Sequence, residues 1–213
     1  MDFSLETVAL AVIPVVLAIA LHEAAHGYVA RIFGDQTAWM LGRVTLNPLK
    51  HVDPIGTVAV PGLLLLTGAP FLFGWAKPVP VNFGNLRNPK RDMIWVAGAG
   101  PLANFAMALL WAFLAQAAAP SGMLDSDGLY RMAQIGISIN LVLMVLNLLP
   151  IPPLDGGRIA VGLLPNAAAQ ALARLEPYGF IVILVLLVTG WLGDLMRPIL
   201  RVATFLLYAL TGL

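Results

Sequence analysis

The sequence predicts an all-α polytopic membrane protein: a helix bundle of about five to six membrane segments, one of them re-entrant, with a short β element at the cytoplasmic face. Three observations carry this expectation. Four apolar stretches approach or exceed the roughly 20 residues that a helix needs to cross the hydrocarbon core. Charged residues make up 11% of the chain and hydrophobic ones 60%, against about 25% charged in an ordinary soluble domain. The remaining charges are segregated, with basic residues gathered in particular connections, as in cytoplasmic loops.

The first stretch, Val8 to Phe33, follows Met1-Asp2-Phe3-Ser4-Leu5-Glu6. That N-terminus lacks the basic region and small-residue cleavage site of a secretory signal peptide, so the stretch is expected to persist as a helix. Between Gly34 and Pro54 the chain is polar and turn-rich, and Leu41 to Leu46 reads as a short strand. Ile94 to Ala118 and Met132 to Leu149 are two further spans, and Ala167 to Leu175 reads as a short interfacial helix. Tyr178 to Leu213 holds two short apolar runs broken at Gly193-Asp194-Leu195-Met196-Arg197-Pro198.

The stretch Ile55 to Ala76 contains Pro61, Gly62, Gly68, Pro70 and Gly74, which interrupt a helix. If it dips in and returns, Arg31, Arg43, Lys50, Lys77, Arg87, Lys90 and Arg91 all lie on one side, joined by Arg158 and Arg174. The other side then holds Asp2, Glu6, Asp125, Asp127 and Arg131. A crossing would instead split the seven basic residues. The positive-inside bias favours re-entry.

With 12 Lys and Arg against 11 Asp and Glu, the net charge of +1 points to no nucleic-acid partner. The absence of cysteine excludes disulfides and thiolate ligands. No repeat or long polar linker divides residues 1–213, so one membrane-embedded domain is expected.

Chemistry concentrates in His22-Glu23-Ala24-Ala25-His26, inside the first apolar stretch. Residues four apart on a helix stack one turn above the other, so both imidazoles can share one metal while the glutamate stands beside them. Ionisable residues at bilayer depth are costly unless partnered, which points to function. A catalytic zinc takes three protein ligands and leaves a position for water. Asp155 is the candidate third ligand: it closes the segment from Asn147 to Gly157, beyond a long apolar helix, where Pro152 and Pro153 impose an extended path and Gly156-Gly157 allow close approach. In the re-entrant topology Asp155 emerges at the same end of the bundle as His26. In the crossing topology it emerges about 30 Å away.

These residues resemble the site-2 proteases, the intramembrane zinc metalloproteases, and in particular short bacterial members without an added PDZ domain. The resemblance rests on His22-Glu23-x-x-His26, on Asn147 through Gly157, and on Gly100-Pro101-Leu102-Ala103-Asn104, and so covers most of the chain. It implies one Zn2+ per chain held by His22, His26 and Asp155, with Glu23 as general base. It further implies a transmembrane protein substrate, such as an anti-sigma factor or a remnant signal peptide. The implied setting is the lipid bilayer of the cell inner membrane, in a multi-pass chain whose active site faces the cytoplasmic side.

An oxyanion needs donors beside the metal. Asn147 is the first candidate by its place in the family-like segment, followed by Asn104 and Asn140. Asn140 is better read as interhelical glue. His51 lies in a polar connection and reads as a loop histidine, and the Gly98-x-Gly100-x-x-Ala103 pattern reads as close helix packing rather than a nucleotide fingerprint. A metal or proton transporter using the His/Asp cluster is the rival function. Transport predicts internal repeats and ligands strung along a path, and this sequence has one compact constellation.

Overall fold

The computed structural model describes residues 5–68, 74–120 and 122–212. Three helices form its frame: α1 (Leu5–Ile32), α4 (Pro89–Ala118) and α5 (Asp127–Asn147). Each is long and apolar enough to cross a membrane. The hairpin between α4 and α5 is tied by Leu124 N–H to the Ala117 carbonyl at 2.8 Å and Ser126 N–H to the Ala118 carbonyl at 3.1 Å. Gly136 of α5 lets the two helices approach, since a Cβ there would stand 2.4 Å from the Trp111 ring. Arg131 meets Glu6 at 3.1 Å, so α1 and α5 start at the same end of the bundle.

A short helix α2 (Thr37–Met40) follows α1. Next, Pro54–Ala59 forms a π-helical turn that leads into α3 (Val60–Leu66). Asp53 caps that turn by accepting from Ile55 N–H and Gly56 N–H. These two pieces together rise only about 20 Å, short of the roughly 30 Å core. The chain then comes back: Trp75 N–H donates to the Gly56 carbonyl at 3.0 Å and Lys77 N–H to the His51 carbonyl at 2.9 Å. The two ends of Ile55–Ala76 therefore meet, as the re-entrant reading requires. Pro70, one of the residues behind that reading, lies outside the described residues.

Beyond α5 come α6 (Asp155–Leu163), α7 (Asn166–Ala173), α8 (Glu176–Val188) and α9 (Trp191–Thr211). The helix expected over Ala167–Leu175 is α7, bent 64° from α8. The expected break at Gly193–Pro198 is not there. The chain turns instead at Thr189-Gly190, where Gly190 takes φ +82°, and Gly193 through Pro198 lie inside α9.

Two expectations need correction. Among the described residues three helices qualify as spans, or four if the bent α7–α8 pair counts as one, rather than five to six. Composition counted Ile55–Ala76, which folds back, α8, which has only 13 residues, and α9, which carries Asp194, Arg197 and Arg201 and does not qualify. The β element is also missing: no strand forms among the described residues, and Leu41–Leu46 is a turn followed by bends. Gly42 sits at φ +62°, and the Arg43 guanidinium takes the Lys77 and Pro78 carbonyls at 3.0 and 3.2 Å, groups that a ladder would have used.

Candidate metal centre

His22 and His26 stack on the face of α1 that packs against α4, and both are buried, at 8% and 9% exposure. Their Nε2 atoms lie 3.0 Å apart. Asp155 opens α6, and its Oδ2 stands 3.3 Å from each Nε2. The loop that delivers it is packed without slack: a Cβ on Gly156 would meet the Leu148 carbonyl oxygen at 2.2 Å, and one on Gly157 the Pro152 nitrogen at 2.4 Å. The two glycines thus serve close approach inside the first turn of α6.

The surrounding hydrogen bonds assign the protons. Asn140 Nδ2 donates to the Gly136 carbonyl at 2.9 Å, which leaves its Oδ1 to accept from Asn104 Nδ2 at 3.0 Å. Asn104 Nδ2 also donates to the Ala18 carbonyl at 3.3 Å. The Oδ1 of Asn104 therefore faces His22 Nδ1 at 2.6 Å and must accept from it. His26 Nδ1 likewise donates to the Val96 carbonyl at 2.7 Å. In the neutral form of each ring this leaves the lone pair on Nε2, and the two Nε2 atoms point at each other and at a carboxylate oxygen.

Three acceptor atoms so close repel one another unless a cation lies among them. Asp155 Oδ2 is moreover buried with no hydrogen-bond partner, which is costly in a low-dielectric interior. Tetrahedral ligands at the usual 2.0–2.1 Å from zinc lie about 3.3 Å from one another, close to the 3.0, 3.3 and 3.3 Å found here. The cluster fits a zinc ion. Gly100 of α4 makes room for it, because a Cβ there would stand 2.4 Å from His26 Nε2 and 2.5 Å from His22 Cε1.

Glu23 is half-buried, and its Oε2 accepts from Val79 N–H at 2.6 Å. Val79 belongs to the extended return of the re-entrant segment. That return is anchored at its far end by Asp35, wholly buried, whose Oδ2 accepts from Asn82 N–H at 2.7 Å. The other oxygen of Asp35 accepts from Thr37 N–H at 3.1 Å and from Asn85 Nδ2 at 3.2 Å. These contacts outweigh the desolvation that would raise the Asp35 pKa, so it lies below the ordinary carboxylate value.

Of the asparagines singled out from sequence, Asn104 stands behind His22, on the ring nitrogen turned away from the ligand cluster. Asn140 bridges α5 to α4, as expected of interhelical glue. Asn147 turns back on its own helix, donating to the Leu143 carbonyl at 3.0 Å. His51 remains in its connecting segment, where it is 2% exposed and donates through Nε2 to the Thr45 carbonyl at 2.9 Å. Sequence reasoning missed Asp35, although Asp35-Gln36-Thr37 after Gly34 carries an Asx-turn signal. It also missed the use of Val79 N–H, which no side-chain pattern announces.

Comparison with known proteins agrees with this geometry. Residues 115–190 match Peptidase family M50. The chain is 43% identical over 194 residues to "Putative zinc metalloprotease YwhC" of Bacillus subtilis, covering 89% of this chain and 85% of that protein. It is 34% identical over 175 residues to "Putative zinc metalloprotease Rip2" of Mycolicibacterium smegmatis, covering 81% of this chain and 64% of that one. The Mycobacterium tuberculosis (strain H37Rv) protein of the same name is 30% identical over 183 residues, covering 82% and 66%. No solved structure matches the chain.

Proposed function

The chain belongs to peptidase family M50, the site-2 proteases, and is a zinc metallopeptidase; from that premise we propose that it cleaves membrane-anchored proteins within or beside their transmembrane segments. His22, His26 and Asp155 hold the zinc in this reading and Glu23 is the general base. The observation that carries it is the trio of buried ligand atoms within 3.3 Å of one another inside an apolar bundle.

Held by His22, His26 and Asp155, a zinc ion would supply Lewis-acid chemistry, polarising a carbonyl and making water more acidic. Glu23 accepts the proton of the attacking water and passes it to the leaving amine. The peptide bond is hydrolysed with no covalent intermediate. The Val79 N–H holds the Glu23 carboxylate in place while it waits, and Asn104 and the Val96 carbonyl keep both imidazoles in the ligating tautomer.

A transmembrane helix hides its peptide bonds in its own hydrogen bonds, so a substrate must unwind and find other partners. The extended return from Lys77 to Asn82 is the edge we assign to it, by β-augmentation. It lies against Glu23, and the Val81 N–H has no partner among the described residues. The basic residues Arg31, Arg43, Lys77 and Arg87 gather at the same end of the bundle as the site, which supports an active site opening to the cytoplasmic side of the inner membrane.

A metal or proton transporter is not favoured, because the ligating groups form one closed cluster. The reading is tested with purified protein in liposomes: it expects about one zinc per chain and zinc-dependent cleavage of a transmembrane substrate. Zinc-free protein that cleaves equally well would overturn it.

A further inference from the structure

One peptide unit in the return of the re-entrant segment is gripped at both ends. Its N–H, that of Val79, donates to Glu23 Oε2 at 2.6 Å, and its carbonyl, that of Pro78, accepts from Arg43 Nη2 at 3.2 Å. The same Nη2 also donates to the Lys77 carbonyl at 3.0 Å. Glu23 makes no other hydrogen bond among the described residues, so this amide is the one fixed hold on its carboxylate.

The chain around Arg43 is shaped to deliver it there. Gly42 takes φ +62°, a left-handed turn that suits glycine, while Gly42 N–H donates to the Trp39 carbonyl and Arg43 N–H to the Ala38 carbonyl, both at 2.9 Å. Val44 and Val79 then lie together on Gly27, where a Cβ would stand 2.8 Å from Val44 Cγ2 and 3.0 Å from Val79 Cγ1. Gly27 is one helical turn after Glu23, so both segments close over the face of α1 that carries the base. Arg43 is half-buried, its Nε is buried without a hydrogen-bond partner, and it has no ion pair among the described residues. A cation that served only solvation would not give up so much of it.

We propose that Arg43 is a positioning residue for the general base, acting on Glu23 through the Pro78–Val79 amide. A permanent cation on the carbonyl oxygen polarises the amide, and hydrogen bonds linked in a chain strengthen one another. The Val79 N–H is thereby a better donor to the carboxylate. Because one amide separates the two charges, Glu23 is fixed through Oε2 while its other oxygen stays clear of the guanidinium and open to a water proton. Holding the loop together does not require Arg43. His51 already ties the same two segments, its Nε2 donating to the Thr45 carbonyl at 2.9 Å and its own carbonyl accepting from Lys77 N–H at 2.9 Å.

The inference rests on reading Glu23 as the base of a zinc peptidase, and Glu23→Gln alone tests that reading. Full-length wild type, Arg43→Ala and Arg43→Lys, each with and without Glu23→Gln, are reconstituted in liposomes with a fluorophore-quencher-labelled Leu/Ala transmembrane peptide interrupted by glycine. Arg43→Ala is expected to lower kcat about 10–100-fold, with KM and zinc content near wild type. Arg43→Lys keeps the charge but not the planar fork and should fall between the two. In the Glu23→Gln background, where no base remains to be positioned, Arg43→Ala should cost nothing further. An Arg43→Ala kcat equal to wild type overturns the proposal. So does a loss confined to KM, one that tracks lost zinc, or one that multiplies with the loss in Glu23→Gln. Should Arg43→Ala fail to fold, Arg43→Lys decides: a reduced kcat that is absent from the Glu23→Gln background supports the role, and a wild-type kcat overturns it.

Discussion

The Oδ1 of Asn104 accepts a hydrogen bond from His22 Nδ1 at 2.6 Å across the α1–α4 contact, and that one bond decides which nitrogen of His22 can bind a metal. It is the end of a buried relay that starts at the Gly136 carbonyl and passes through Asn140. In that position Asn104 orients a candidate ligand, where its place in the sequence suggested an oxyanion donor. Outer-shell partners of this kind are worth about 10–100-fold in metal affinity. Asn104→Leu should weaken zinc binding by that factor, measured by competition with a chromogenic chelator, while Asn104→Asp, which can still accept from Nδ1, should lose less. Equal affinity in Asn104→Leu and wild type would refute the role.

Gly100 is the only residue type that fits against the paired imidazoles, since a Cβ would meet His26 Nε2 at 2.4 Å. Gly100→Ala should displace the rings or spread α1 from α4, an overpacking cost of about 1–3 kcal/mol. Zinc content should fall in the purified protein while helix content by circular dichroism stays close to wild type. Unchanged zinc content would show that the contact yields easily.

Asp35 makes a pH-dependent prediction. Its pKa is held below the ordinary carboxylate value in the folded protein, so it favours folding once pH exceeds the unfolded value. That contribution is lost as pH falls through the lower folded value. Asp35→Asn should cost about 1–3 kcal/mol near neutrality and should also slow cleavage, because Asn82 and the return segment that holds Glu23 lose their anchor. Thermal unfolding in detergent should show a gap between variant and wild type that is constant above about pH 5 and narrows below about pH 4. A gap that widens on acidification would contradict the assignment.

Val81→Pro removes one N–H from the edge assigned to substrate pairing. Cleavage of a transmembrane substrate should drop about tenfold, with zinc content and thermal stability near wild type, if that N–H meets the substrate backbone. Normal turnover in this variant would move substrate pairing elsewhere.

That His22, His26 and Asp155 come together was legible because most of the geometry is local. His22 and His26 declare a shared face by spacing alone, and charge bias brought Asp155 to the same end. That the two ends of Ile55–Ala76 meet was readable for the same reason, through prolines, glycines and basic flanks. What failed depends on contacts distant in sequence. Leu41–Leu46 alternates like a strand, yet Arg43 spends its guanidinium on the carbonyls of Lys77 and Pro78. Gly193 through Pro198 looks like a breaker, yet proline is tolerated inside α9, where the helix packs on α4 and α5 and Arg197 pairs with Asp194. Asn147, singled out by its neighbours in sequence, donates to the Leu143 carbonyl of its own helix.

The central claim is that a glutamate beside a two-histidine, one-aspartate zinc site does the proton transfer. Its most direct test is the pairing of zinc content with cleavage rate in Glu23→Gln, reconstituted beside the wild type. The variant should keep about one zinc per chain and lose cleavage by roughly 10²–10⁴-fold. Zinc-loaded Glu23→Gln that cleaves at the wild-type rate would contradict the account.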